Sequence, residues 1–197
     1  MEKRLRKDLQ IMIDEKAGHL YFGDKKKDLR LLMLRPLDLI EFTEFAGTNA
    51  DDILIWVGKS LGKQFMEKFF YNKDWSSESM ITRKEVLFGT LEALELMGYG
   101  AMISKFKKDH ILIQVEEGLG YEEQDNIMAK NLCLITQGVL SGVFAALQIN
   151  VEGEEIECVL LGNEKCVFKF SFITEEIEDE LVDTESEESV SDFLSTL

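Results

Sequence analysis

Apolar and polar residues alternate along IMIDEKAGHLYFGD (11–24) on either side of Lys16-Ala17-Gly18, which predicts a β-hairpin. LRLLMLR (29–35) predicts a third strand, and Lys25, Lys26 and Lys27 read as its solvated approach. Pro36 suits the first turn of a helix running through LDLIEFTEF to Gly47. Asn49 or Asp51 can cap the next helix, in which Ile53, Leu54, Trp56, Val57, Leu61, Phe65 and Phe69 recur at helical spacing. A polar connection from Asn72 to Ser79 follows, with Ser77 or Ser79 as the cap of ITRKEVLFGTLEALELMGYG. Val86, Leu87, Leu91, Leu94 and Met97 mark that helix's buried face, and Gly98 stops it. YGAMISKFKKDHILIQVEEG predicts a hairpin turning at Lys108-Asp109, with Ile111, Ile113 and Val115 on one face. A third long helix is predicted over 124–147, small on one side (Gly138, Ser141, Gly142, Ala145, Ala146), so that a sheet, a backbone or a ligand can approach closely. QINVEGEEIECVLLG and KCVFKFSF form a last hairpin, turning at Gly162-Asn163. Residues 3–10 predict a short basic helix.

Hairpins and helices in this order predict an α+β fold, an antiparallel sheet packed with helices. A chain of 197 residues, 45% hydrophobic and with 1 proline, suits one domain with a sizeable core. No apolar run reaches the length needed to span a bilayer, and the charged N-terminus lacks an apolar signal region, so a cytoplasmic protein is expected. The net charge of -16 is uneven: the stretch 174–197 holds ten Asp or Glu and no Lys or Arg. The rest is mildly acidic, which disfavours nucleic-acid binding. The acidic stretch predicts a solvated tail, although Ile177, Leu181, Val190, Phe193 and Leu194 offer apolar docking positions. Gly58-Lys59-Ser60 lacks the earlier glycine of a phosphate-binding loop and falls mid-helix. His19 and His110 stand isolated on strands.

All three cysteines, Cys133, Cys158 and Cys166, lie within 133–170. Cys158 and Cys166 flank the last turn and fall nearly opposite each other on paired strands, close enough to share a tetrahedral ion. Cys133, at the middle of the third long helix, could add a third sulfur, and Glu152, Glu154, Glu155 and Glu157 offer carboxylates. There is no CxxC pair and no nearby histidine. Three readings therefore stand side by side: a metal site, three small buried residues at a helix–hairpin contact, and a Cys158–Cys166 disulfide in an oxidising or hyperthermophile setting.

Cys133, then Gly138 and Gly142, then Glu155-x-x-Cys158, Gly162 and Cys166-Val167-Phe168 resembles the 4-vinyl reductase (V4R) domain family over about residues 80–172, in its free-standing archaeal form. The resemblance implies a fold similar to the Bet3 subunit of the vesicle-tethering TRAPP complex and to haem-based NO-sensor domains. It divides the chain into an N-terminal part of the same domain (1–79), a core (80–173) and the acidic tail (174–197). In phenol-sensing activators carrying this domain, zinc is held by Cys, Glu, Cys and Cys in this order. The resemblance thus implies Cys133, Glu155, Cys158 and Cys166 as ligands of a structural zinc. On a straight strand Glu155 and Cys158 face opposite sides, so a bend near Gly153 to Glu155 is expected, with Glu154 the alternative.

Four protein ligands close a zinc site to activated water. No nucleophile–base pair or dinucleotide loop stands in the sequence, so no catalytic residue is assigned. The resemblance implies a zinc-stabilised domain that binds or senses an apolar or aromatic small molecule. The expected lining is Phe88, Leu91, Met102, Phe106, Ile111, Ile113, Gln137 and Phe144. The phenol-sensing relatives hold their ligand's hydroxyl with a His and a Trp, and His110 alone falls in residues 80–150 here, which implies a more apolar ligand. A homodimer is implied, using helix 49–71 with Trp56, Phe65, Phe69 and Phe70, and any output passes to a partner in trans. Two other readings stand: a reductase or accessory subunit for a vinyl-bearing tetrapyrrole, and a Bet3-like scaffold.

Overall fold

The computed structural model describes residues 10–23, 29–70, 73–123, 125–173 and 188–189. The expected basic helix over 3–10 and most of the acidic tail lie outside the described residues, and Gln10 belongs to a strand. β1 (Gln10–Asp14) and β2 (His19–Gly23) pair across the turn at 15–18, with Gly18 at φ 66°. β3 (Leu29–Leu31) completes a three-stranded antiparallel sheet. It is shorter than the predicted 29–35 because its last pair is Leu20–Leu31, beyond which β2 gives way to its hairpin turn.

The first helix, α1 (Pro36–Ala46), begins at the proline, with Asp38 accepting the Arg35 backbone N–H at 2.9 Å. α2 (Ala50–Phe70) follows after one 3-10 turn. Its buried face runs through Leu54, Gly58, Gly62, Phe65, Met66 and Phe69. This corrects the predicted stripe: Trp56 is 70% exposed and Leu61 47%, because the helix turns its glycines, not those residues, inward. Phe22 of the small sheet packs against Phe65 and Phe69 with ring centroids 6.2 and 5.9 Å away. α3 (Met80–Leu96) starts at Ser79, whose Oγ accepts the Thr82 N–H, and ends before Gly98 at φ 91°.

The second sheet has five antiparallel strands in the order β6-β7-β5-β4-β8. These are β4 (Ala101–Phe106), β5 (His110–Glu116), β6 (Val151–Glu157), β7 (Cys166–Phe172) and β8 (Glu188–Ser189). Register places Met102–Val115–Cys166, Ser104–Ile113–Phe168 and Phe106–Ile111–Phe170 in rows on one buried face. On β4, Ile103 and Ser104 pair with Ser189 and Glu188, so that part of the acidic stretch, expected in solvent, forms the edge strand β8 instead.

α4 (Asn131–Ala146) crosses the middle of the fold and starts seven residues later than predicted. Residues 121–123 and 127–130 are 3-10 turns instead, the second capped by Asn126, whose Oδ1 accepts the Met128 N–H. The small side of α4 meets α2. A Cβ on Gly58 would lie 2.4 Å from the Ile135 carbonyl oxygen, and one on Gly142 would lie 2.2 Å from that of Lys59. Gly62 and Gly138 are equally tight, so the helices touch backbone to backbone. By length and composition the stretch Met128–Ala146 (mean hydropathy 1.2) could also cross a membrane; in the fold 67% of it is buried, as in a core helix.

One hydrophobic core joins all these elements, from Phe22 and Ile40 to Phe168 and Phe170. Phe65 and Phe69 belong to it, and Phe70 packs against Trp75, so of the four aromatics expected at a dimer surface only Trp56 is exposed. Large apolar side chains left in solvent include Leu32, Met33, Leu34, Phe42 and Phe45, Ile11 and Ile13 of β1, and Leu161 and Ile173.

Candidate metal centre

The site is built where the first turn of α4 meets the bulged end of β6 and the start of β7. Cys133 is the third residue of α4, not its middle as expected, and so hangs over the sheet edge rather than the helix crossing. β6 pairs regularly with β7 up to Glu155–Phe168, and then Glu157 pairs with Val167, leaving Ile156 as an extra residue. This β-bulge shifts the alternation by one residue. Burial records the shift: Glu155 is half-buried, Ile156 and Glu157 are both exposed, and Cys158 is buried. The expected bend is real but lies at Glu155–Glu157, two residues later than anticipated. Glu154, the alternative, is exposed and lies 3.9 Å from the Lys169 ammonium, outside the cysteine cluster.

Cys158 opens a 3-10 turn, Val159–Leu161, that closes on Gly162 at φ 95°. Asn163 Oδ1 accepts the Cys158 backbone N–H at 3.1 Å, and the Cys158 carbonyl accepts from Leu161 and Asn163. This loop fixes Cys158 opposite Cys166, the first residue of β7. Cys166 Sγ accepts the Val159 N–H at 3.5 Å. The three cysteines are free and buried. Cys133 Sγ lies 3.8 Å from Cys158 Sγ and 3.7 Å from Cys166 Sγ. With a Glu155 carboxylate oxygen they form a set of four atoms all within 4.8 Å of one another.

The four groups lie close enough to hold a cation. A tetrahedron with metal–sulfur bonds of ~2.3 Å has sulfur–sulfur edges of ~3.8 Å, which the two distances match. Glu155 Oε1 is buried with no hydrogen-bond partner among the described residues, and an unsatisfied buried carboxylate oxygen costs several kcal/mol unless a cation or a proton meets it. The sulfurs feel the same crowding. Cys133 donates to Cys166 and is buried, and both push its thiol well above the ordinary range. Burial, and then the charges of Cys166 and Glu155, push Cys158 up to about 12. Cys166, receiving the Cys133 S–H and the Val159 N–H, is held low. Three thiolates and a carboxylate cannot coexist at this spacing without a cation among them.

Of the eight residues predicted to line a ligand pocket, all but Gln137 go to one region, the layer between α3, α4 and the buried face of the large sheet. Seven are core residues, none more than 7% exposed. Phe88 and Phe106 have ring centroids 5.9 Å apart, and Phe144 and Phe170 4.7 Å. The Lys84 ammonium stands over Phe88 and Phe106 at 5.5 and 4.7 Å. Gln137 faces elsewhere: its Nε2 donates to the Gly153 carbonyl at 2.7 Å, tying α4 to β6. A small cleft that the sequence did not announce adjoins the metal centre, lined by Val115, the 118–121 loop, Cys133, Thr136, Val159, Cys166 and Phe168.

The family profile described as methanogen output domain 1 matches residues 48–171, more than half of the chain. The chain belongs to the methanogen output domain 1 family. V4R was the family that the cysteine pattern resembled. This methanogen output domain has no match among curated proteins. Its fold is similar to that of the phenol-responsive sensory domain of the transcription activator PoxR, solved with phenol (TM-score 0.62, 17% identity, 90% of each chain covered). It is also similar to a trafficking protein particle complex subunit 3 from Naegleria fowleri, covalently bound to palmitic acid (TM-score 0.52, 15% identity, 73% of this chain and 93% of that one covered). An H-NOX protein from S. oneidensis, in an Fe(II)NO ligation state, shares the fold as well (TM-score 0.51, 11% identity, 74% and 80% covered). The α+β, Bet3-like and NO-sensor-like architecture expected from the sequence is therefore the one observed.

Proposed function

We propose that this domain is a zinc-stabilised module that binds or senses an apolar or aromatic small molecule and passes its state to a partner chain. The observation that carries the reading is the convergence of Cys133, Cys158, Cys166 and Glu155 within 4.8 Å, with a Glu155 oxygen buried and unpartnered. Three soft sulfurs and one carboxylate suit Zn²⁺. The ion would neutralise the thiolates and join α4 to β6 and β7, four protein ligands leaving no position for a reacting water. The Cys-Glu-Cys-Cys order also supports a V4R-type relationship. Likeness to a phenol-responsive sensory domain over 90% of both chains supports a sensor role.

The proposed ligand site is the aromatic layer of Phe88, Leu91, Met102, Phe106, Ile111, Ile113 and Phe144. The named residues are apolar, and Ser104 on the same buried face adds one hydroxyl without a hydrogen-bond partner among the described residues, which suits a mainly apolar or aromatic guest with at most one polar group. A haem guest has no support from histidine: His19 pairs with the Tyr21 hydroxyl, and His110 with Asp109. The exposed Leu32, Met33, Phe45 and Trp56 support a homodimer or a partner interface.

Elemental analysis and native mass spectrometry of protein purified from its own host test the proposal. The expected result is one zinc per chain and a copurified apolar molecule. Folded zinc-free protein that takes up no zinc overturns the metal assignment, and a redox cofactor in place of an apolar guest overturns the sensor reading.

A further inference from the structure

The four groups of the metal centre are not equally enclosed. Cys133 and Cys166 are walls of the narrow cleft, whereas Cys158 and Glu155 are not. The other walls are Val115, Leu119, Thr136, Val159 and Phe168, and the cleft bears no ionisable group except Tyr121 and the sulfurs themselves. Its volume of about 10 Å³ is the room that one water occupies. Size and neutrality therefore decide what reaches the two sulfurs. Hydrogen peroxide, little larger than water, needs the least widening of this cleft; a maleimide or a charged aromatic disulfide needs far more. The sulfurs stand 3.7 Å apart, and a disulfide at ~2.05 Å needs them to close by less than 2 Å.

We propose that Cys133 and Cys166 form a modification site for small neutral hydroperoxides, which convert the pair to a disulfide while Cys158 stays reduced. One sulfur, as thiolate, attacks a peroxide oxygen; the O–O bond breaks, and the leaving hydroxide takes a proton and departs as water. The sulfur is oxidised to a sulfenic acid as the peroxide is reduced by two electrons. The second thiol then attacks the sulfenic sulfur as it gives up its proton, the S–O bond breaks, the hydroxide takes that proton and leaves as a second water, and the S–S bond forms. Two thiols and one peroxide give one disulfide and two waters. In the zinc-loaded state, which rests on the proposed function above, this removes two of three sulfur ligands and releases the ion.

The test uses the full chain, metal-free and zinc-loaded, treated with hydrogen peroxide or with a charged aromatic disulfide, and mapped by peptide mass spectrometry. The metal-free chain becomes two hydrogens lighter, with Cys133 and Cys166 joined and Cys158 alkylated only after unfolding. The bulky reagent reacts at least about tenfold more slowly with the folded chain than with the unfolded one, while peroxide does not show that penalty. Thr136→Met, which fills the cleft from α4, slows the peroxide reaction about tenfold. Should that variant fail to fold, the reagent comparison on the unaltered chain decides. Cys158 in the cross-link, oxidation that stops at sulfinic acids, or equal penalties for both reagents overturns the proposal. With zinc bound, one ion is released per disulfide. A chain that binds no zinc removes the metal reading alone, and the metal-free map still judges the disulfide.

Discussion

Replacing Gly62 by alanine tests the helix crossing on which the site is mounted. The added Cβ would lie 2.1 Å from the Val139 carbonyl oxygen and 2.9 Å from its carbon. Ordinary contact begins near 3.4 Å, so α2 and α4 must part by roughly 1 Å. The obstacle is backbone and cannot rotate away, which puts the cost at the upper end of overpacking, about 3 kcal/mol. Alanine's better helix propensity returns about 1 kcal/mol, leaving a net loss of about 2 kcal/mol. Gly89 of α3 supplies the control, because a Cβ there meets nothing within 4 Å. The same substitution at Gly89 keeps the propensity gain of about 1 kcal/mol with no clash. For a chain of this length the melting temperature moves about 2–4 °C per kcal/mol. Gly62→Ala should therefore melt about 4–8 °C lower and Gly89→Ala about 2–4 °C higher, read by circular dichroism at fixed metal load. A Gly62→Ala protein that melts at or above the parent temperature refutes the backbone-to-backbone crossing.

Glu155→Gln should weaken zinc binding at least about tenfold in competition with a chromophoric chelator, while Glu154→Gln, on the outer face, leaves it unchanged; the reverse order would mean that the bulge is misplaced. Zinc at a hundredfold excess over its Kd should stabilise the fold by about 2.7 kcal/mol, so a melting curve indifferent to zinc counts against the centre. In metal-free protein Cys158 ionises only at about 12, against 9.0 for a free thiol, and Cys133 is raised too. The unfolded chain then loses these protons first, so urea denaturation should show stability falling as the pH rises from 9 towards 12. Cys166, shifted the other way, acts below pH 9, where its contribution is lost as the pH falls, and a stability that rises between pH 9 and 12 would contradict the crowding of the sulfurs.

Element types were largely legible, because long periodic stretches leave little choice. Helix and strand patterns named α1 to α4 and the three hairpins. What the sequence hid were features decided by a partner. Gly58-x-x-x-Gly62 and Gly138-x-x-x-Gly142 stand at matching spacing, yet a spacing names no partner, and the apolar count on α2 pulled Trp56 and Leu61 inward. β3 stops where β2 runs out, which no residue of LRLLMLR announces. Nothing in EEIEC says which residue is the extra one. The bulge follows from closing the Cys158–Asn163 loop while Cys158 and Glu155 both face Cys133. The pairing of Glu188 and Ser189 belongs to the same class, since an acidic stretch reads as solvated until a free sheet edge lies beside it.

α4 carries every functional feature at a different height. Cys133 in its first turn enters the metal centre, Gln137 one turn on holds the Gly153 carbonyl, Gly138 and Gly142 lock onto α2, and Phe144 reaches the aromatic layer against Phe170. The glycine crossing forbids sideways movement, because any approach drives backbone into backbone. It permits a tilt about the crossing point, and such a tilt moves the two ends in opposite senses. A guest wedged beside Phe144 would thus be felt at Cys133, and the metal centre resists that tilt only while its ligands hold. By the same linkage, ligand affinity and metal affinity must change each other by equal factors. Measuring zinc affinity with and without a bound guest therefore tests the lever directly: equal affinities would mean that α4 does not tilt, and that the metal only braces the fold.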